Sequence, residues 1–158
     1  MKKSLKRILL TLVLFISVIT LSGCGKKEAL TYGQFYSRMS DKGFVLTNVG
    51  SQFENYKAIS KAYVARSKEL TYQIEFYELT SDENAVSFFD NNKRIFEESL
   101  GSVVKSKVSI NGKNYSKFTA NSNGYYMLVS RVKNTVVFAR VDEKYAKEVK
   151  DIIKGLGY

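Results

Sequence analysis

"VVKSKVSINGKNYSKFTANSNGYYMLVSRVKNTVVFARV", residues 103–141, decides the fold. Apolar and polar residues alternate along it with a period of two, and turn-forming residues interrupt it at short intervals. The breaks are Asn111-Gly112, Asn121 to Gly124, and Lys133-Asn134, which predicts strands over 103–110, 113–120, 125–132 and 135–141. Connections this short join neighbours of opposite direction, because a parallel pair needs a crossover of a dozen or more residues. The stretch is read as an antiparallel meander.

Working outward, "KAYVARS" (61–67) and "LTYQIEFYEL" (70–79) alternate about Lys68-Glu69 and predict a hairpin. Phe44 to Val49 is a short strand, and 50–60 stays open between loop and short helix. Thr31 and Gln34 form a capping-box pattern ahead of Tyr32, Phe35, Tyr36 and Met39, which predicts a helix over 31–42. Ser81-Asp82-Glu83 opens a second helix whose apolar face carries Ala85, Phe88, Phe89, Ile95, Phe96 and Leu100, with Gly101 in the capping position. Asp142 caps a third, with Tyr145, Ala146, Val149, Ile152, Ile153 and Leu156 on one side. The class is α+β: a mostly antiparallel sheet of five to seven strands with three helices. A helix followed by a hairpin occurs at 31–79 and again at 81–141. "AYVARSKELTYQIEF" and "YMLVSRVKNTVVFAR" share a loose pattern, so an old duplication is one reading. With no Pro and no long polar linker, residues 31–158 read as a single domain.

The N-terminus has a different grammar. Met1 to Arg7 is basic, and Ile8 to Leu21 is apolar apart from Thr11, Ser17 and Thr20. As a helix this run rises about 21 Å, short of the ~30 Å hydrocarbon core, so a secretory signal fits better than a lasting span. It ends in Leu21-Ser22-Gly23-Cys24. These four residues resemble the lipobox of a bacterial lipoprotein precursor: an aliphatic residue, two small residues and a Cys. The resemblance implies that residues 1–23 are a signal peptide, with Leu21, Ser22 and Gly23 read by the signal peptidase. It implies too that Cys24 becomes a diacylglyceryl cysteine bearing fatty acyl chains such as palmitate. A thiolate is the best nucleophile the chain offers for that alkylation, and two chains satisfy the requirement for stable anchoring. Cys24 is the only cysteine, so no disulfide competes for it. The expected address is the extracytoplasmic face of the cell membrane. Residues 24–30 are the lipidated Cys and a short tether, whose six residues Gly25 to Leu30 reach about 20 Å when extended. The mature domain looks like the small lipoproteins of low-GC Gram-positive bacteria.

Charge comes next. The chain holds 25 basic and 15 acidic residues; four of the basic ones and none of the acids precede Cys24, so the remainder carries +6. There is no His, which removes the commonest general base and the commonest transition-metal ligand. No metal spacing, phosphate loop or dinucleotide fingerprint occurs, and no cofactor is implied. Ser102-Val-Val-Lys105 matches the S-x-x-K of penicillin-interacting serine enzymes in form only, since it opens a strand and lacks the companion motifs. The acid pairs Glu75/Glu78, Asp82/Glu83, Glu97/Glu98 and Asp142/Glu143 mostly sit where helix starts and exposed turns favour acids.

Between Glu98 and Asp142 there is no acid, while Lys105, Lys107, Lys113, Lys117, Arg131, Lys133 and Arg140 accumulate. A bulged loop at Gly112 would set Lys117 opposite Lys105 and Phe118 opposite Val104, segregating a basic from an apolar face. The first six of these bases, with Tyr115 and Tyr126 as stacking neighbours, are the candidate surface for an anionic lipid or wall polymer. The alternative is a solvated outer face of the sheet. The expected function is a non-enzymatic binding or accessory module of the cell envelope, held to the bilayer through acylated Cys24. A carboxylate-based hydrolase of envelope glycans and a docking subunit of a membrane complex are the competing readings. Nucleic acid is not an expected partner outside the cell.

Overall fold

The computed structural model describes residues 26–158; the signal segment, the lipobox and Cys24 lie outside the described residues. Helix α1 (Tyr32–Ser40) leads into strand β1 (Val45–Asn48), a 3-10 turn (Gly50–Phe53) and the hairpin β2 (Ile59–Arg66) and β3 (Gln73–Leu79). Helix α2 (Asp82–Glu98) follows, then β4 (Val104–Asn111), β5 (Tyr115–Ser122), β6 (Tyr125–Val132) and β7 (Thr135–Asp142), and finally α3 (Ala146–Leu156). The seven strands form one sheet in the order β1-β2-β3-β7-β6-β5-β4, every neighbour antiparallel. The α+β class read from the sequence is what the chain adopts.

Local chemistry accounts for the boundaries. Thr31 Oγ1 accepts from the Gln34 amide (3.2 Å) while Gln34 Oε1 accepts from the Thr31 amide (2.9 Å), closing the capping box of α1. Ser81 caps α2 through the Asn84 amide (3.1 Å), and Asp82 and Glu83 complement its positive end. Asn123 (φ 50°) and Gly124 (φ 79°) are both left-handed, as a tight two-residue hairpin requires. Gly101 does not cap α2. The helix ends at Glu98, and the Ser99 hydroxyl donates to the Phe96 carbonyl (2.8 Å). A Cβ at 101 would lie 1.7 Å from Asn123 Nδ2, so a larger residue there must displace that side chain.

The central strands are covered on both faces. On one face α1 and α3 bury Phe35, Met39, Ile153 and Leu156 against Ile74, Phe76, Leu128 and Val137. On the other, α2 buries Ala85, Phe89 and Phe96 against Tyr77, Phe118, Met127 and Val136. This arrangement lacks the symmetry expected of the duplication. Antiparallel neighbours β3 and β7 are related by an axis normal to the sheet, which would keep both repeat helices on one face. Helices α1 and α2 lie on opposite faces, so the two halves have opposite hand.

The β4–β5 register also differs from the bulged pairing expected from Asn111-Gly112. Lys117 faces Ile110 and Phe118 faces Ser109, and the turn comprises Gly112, Lys113 and Asn114. The cause is a contact distant in sequence. Asn114 Oδ1 accepts from the Lys27 amide (3.1 Å) and its Nδ2 donates to the Lys27 carbonyl (2.7 Å), while the Asn114 carbonyl accepts from the Lys133 amide (2.8 Å). Held in this way, Asn114 belongs to the turn and β5 begins at Tyr115.

Phe76 is fully buried and stacks on Phe35 with centroids 4.8 Å apart. Phe76→Ala is expected to cost about 3–5 kcal/mol in chemical denaturation, whereas Ile110→Ala on the outer strand should cost under about 1 kcal/mol.

Candidate functional site: the basic ground beside the tether

The six bases singled out from the sequence do not form one surface. Lys105 pairs with Glu143 (2.6 Å), and Lys107 reaches across the α2 face to Glu97 (2.8 Å). Lys133, in the β6–β7 turn, pairs with Glu28 (2.7 Å). Such half-exposed pairs contribute at most about 1 kcal/mol each, yet they neutralise the charge locally. Lys113 projects from the β4–β5 turn and is exposed. Arg131 is only 6% exposed, on the α2 face; it donates to the Lys133 carbonyl (3.1 Å) and to Ser116 Oγ (3.4 Å). It is a structural residue of the sheet. The basic face expected across the meander is therefore split between two faces and one edge, because side chains alternate along each strand.

Lys117 behaves differently. Phe118 and Ala120 belong to the α2 core, so Lys117 points to the α3 face, where its ammonium donates to the main-chain oxygen of Tyr158 (3.3 Å). Two further lysines flank it. The ammonium of Lys27 lies 4.9 Å from the Tyr115 ring centre, and that of Lys150 lies 4.9 Å from the Tyr126 ring centre. None of these three lysines has an Asp or Glu side chain within ion-pairing distance among the described residues. Burial holds the Lys117 ammonium below the usual lysine range, and the positive charges of Lys27 and Lys150 push it further down. Burial also lowers Lys27. Sequence reading missed Lys27 and Lys150 as members of this group, since 90 and 33 residues separate Lys27 and Lys150 from Lys117. The aromatic neighbours it named, Tyr115 and Tyr126, are the two rings on which those lysines rest.

The tether meets the domain at the same place. Lys27 is fixed to Asn114, Glu28 reaches Lys133, and Leu30 is buried. The segment read as a tether, Gly25 to Leu30, is thus docked on the domain from Lys27 onward. From Lys27 back to Cys24 the chain spans about 10 Å at most.

Beyond this triad, Val108 and Ile110 of β4 lie on the same α3 face beside Thr119 and Lys117 and are 48% and 44% exposed. The α1–α3 core they border includes Tyr126, Leu128 and Val137 of β6 and β7 but no residue of β4.

Elsewhere the acids are dispersed. A groove of about 580 Å³ is lined by Lys42, Phe44, Lys144, Lys147, Glu148 and Asp151; its two acids come from one helix, and Asp151 pairs with Lys147 (3.2 Å). On β3, Glu75 accepts from Tyr77 Oη (2.5 Å) and Gln73 Nε2 (2.8 Å), which engages both of its oxygens. Among the described residues no group of three or more Cys, Asp or Glu converges as a metal site, and no helix is long and apolar enough to cross a membrane.

No protein-family model matches the chain, and no curated protein matches it. Among solved structures it is similar to the crystal structure of a GTP binding regulator from Thermotoga maritima, with 15% identity over 80% of this chain and 87% of that one, at a TM-score of 0.47. A likeness this loose carries no argument about what the chain binds.

The triad makes a stability prediction. Lys117 has a lower pKa folded than unfolded, so between those two values the unfolded chain holds more protons and stability rises with pH. Below the lowered value the full penalty of the charged form applies. Lys117→Gln should therefore raise the melting temperature at pH 7, and the gain should shrink as pH climbs towards the ordinary lysine value of about 10.4. Thermal melts of both proteins across that range check it.

Proposed function

We propose that the chain is a membrane-anchored extracytoplasmic lipoprotein, a non-enzymatic binding or accessory module of the cell envelope that engages an anionic component. The lipobox Leu21-Ser22-Gly23-Cys24 supplies the anchor. The observation that carries the reading is the docked tether. With Lys27 and Glu28 held against the β4–β5 and β6–β7 turns, acylation at Cys24 would attach lipid within about 10 Å of one particular end of the sheet. That end would face the bilayer. The opposite end, with the β2–β3 and β5–β6 turns, lies about 25 Å away along the sheet, the length of an eight-residue strand.

The hydrolase reading has less support. It calls for two carboxylates from separate elements converging on one bond, whereas the acids of the 580 Å³ groove share a helix and Glu75 is committed to its neighbours on β3.

Cys24→Ser is the direct test. The wild-type protein should incorporate radiolabelled palmitate and fractionate with membranes. The variant should lose the label and lose at least about tenfold of its membrane-bound share, as a chain deprived of both acyl groups must. Equal labelling and fractionation of the two would refute the anchor.

A further inference from the structure

The α3 face of β4 and β5 combines three features that sequence distance had kept apart. Lys27, Lys117 and Lys150 form a group with no Asp or Glu side chain within ion-pairing distance among the described residues, in which half-buried Lys117 donates to the main-chain oxygen of Tyr158. Val108 and Ile110 stand exposed on the adjoining outer strand, and the next turn adds Lys113. The docked tether leaves the domain at this same corner.

A half-buried ammonium between two like charges attracts an anion beyond the one oxygen acceptor that Tyr158 supplies. Of the lysines on β4 and in the β6–β7 turn, Lys105, Lys107 and Lys133 each have a carboxylate within 3 Å. Beside the triad the outer strand presents branched apolar side chains instead. Basic and apolar groups on one face, beside a lipid attachment point, suit the boundary between headgroups and acyl chains.

We propose that this face is a docking surface for the anionic bilayer itself, with headgroup phosphates seated among Lys27, Lys117 and Lys150 and with Val108 and Ile110 set against the interface. The domain then lies with its β4–β5 side on the membrane instead of swinging about its tether. Charge complementarity and continuity with the tether select the bilayer over other anions. The inference rests on the anchored reading for its geometry, but the surface exists whether or not Cys24 is acylated.

The test therefore uses both forms. The mature Cys24→Ser chain, which has no acyl group, should sediment with phosphatidylglycerol-rich vesicles and not with vesicles of phosphatidylcholine alone. Lys27→Gln, Lys117→Gln and Lys150→Gln together should weaken that binding roughly a hundredfold, and raising salt from about 0.1 M to 1 M should largely abolish it. Folding of the triple variant is checked by its circular dichroism and melt. In the acylated protein, a spin label at Ser106→Cys should lose contact with a water-soluble relaxation agent in anionic vesicles but not in neutral ones, while a label at Lys68→Cys in the distal turn stays accessible in both.

Indifference of the unacylated chain and of the Ser106 label to phosphatidylglycerol would overturn the docking face even if palmitate labelling succeeds. Anionic-vesicle binding without any palmitate incorporation would sink the anchor and leave the face standing. Binding to isolated wall polymer that is lost in the same triple variant, with no preference for anionic vesicles, would overturn the bilayer as the occupant.

Discussion

The structure depends on the pairing of β3 with β7. Glu75 to Glu78 run antiparallel to Thr135 to Phe138, joining a three-stranded meander from the first half of the chain to a four-stranded one from the second. Neither meander could bury both of its faces alone. Once joined, β3, β7 and β6 become central strands; β6 and β7 read as largely apolar runs because both of their faces are covered, while β3 keeps Gln73, Glu75 and Glu78. Helices on both sides follow from this. The chain then closes on itself at the tethered end, where Tyr158 packs beside Thr135 and contacts its hydroxyl. Burial pushes the Tyr158 phenol up to about 12, keeping it neutral in that setting.

The same pairing sorts the charges. Because alternate residues of a strand face opposite ways, the order of strands decides which lysines meet. Lys105 and Lys107 reach Glu143 and Glu97, acids contributed by elements that the sheet brings alongside. Arg131 is drawn under the α2 face. Lys117 is turned the other way and gathers Lys27 and Lys150 around it. Uneven charge along the sequence thus becomes an uneven distribution in space, although the residues that matter differ in part from those the linear count suggested.

A short tether on a rigid sheet has a mechanical consequence. A flexible leash would allow the domain any orientation, whereas one docked through Asn114 and Lys133 would turn the proposed anchor into an orientation. The proposed lipid-facing side and the distal turns are consequences of that single geometric fact. A loosened tether would decouple them, since Lys27 stands only three residues from Cys24.

The two-residue period of 103–141 was enough to announce strands, and tight turns fixed their antiparallel sense. Capping residues Thr31 and Ser81 announced their helices, whereas Asp142, expected to cap α3, caps the 3-10 turn Glu143–Tyr145 ahead of it; the pattern Leu21-Ser22-Gly23-Cys24 that resembles a lipobox is a local motif that needs no fold. These are properties of neighbours in the chain, so the sequence by itself determines them. The register of β4 on β5, the partners of each lysine and the faces of the helices depend on residues far apart. Asn114 joins the turn because Lys27 holds it there; Lys117 meets Lys150 because α3 returns across β6 and β7. Only tertiary structure decides such matters, since a strand pattern specifies alternation but not which neighbour it will face.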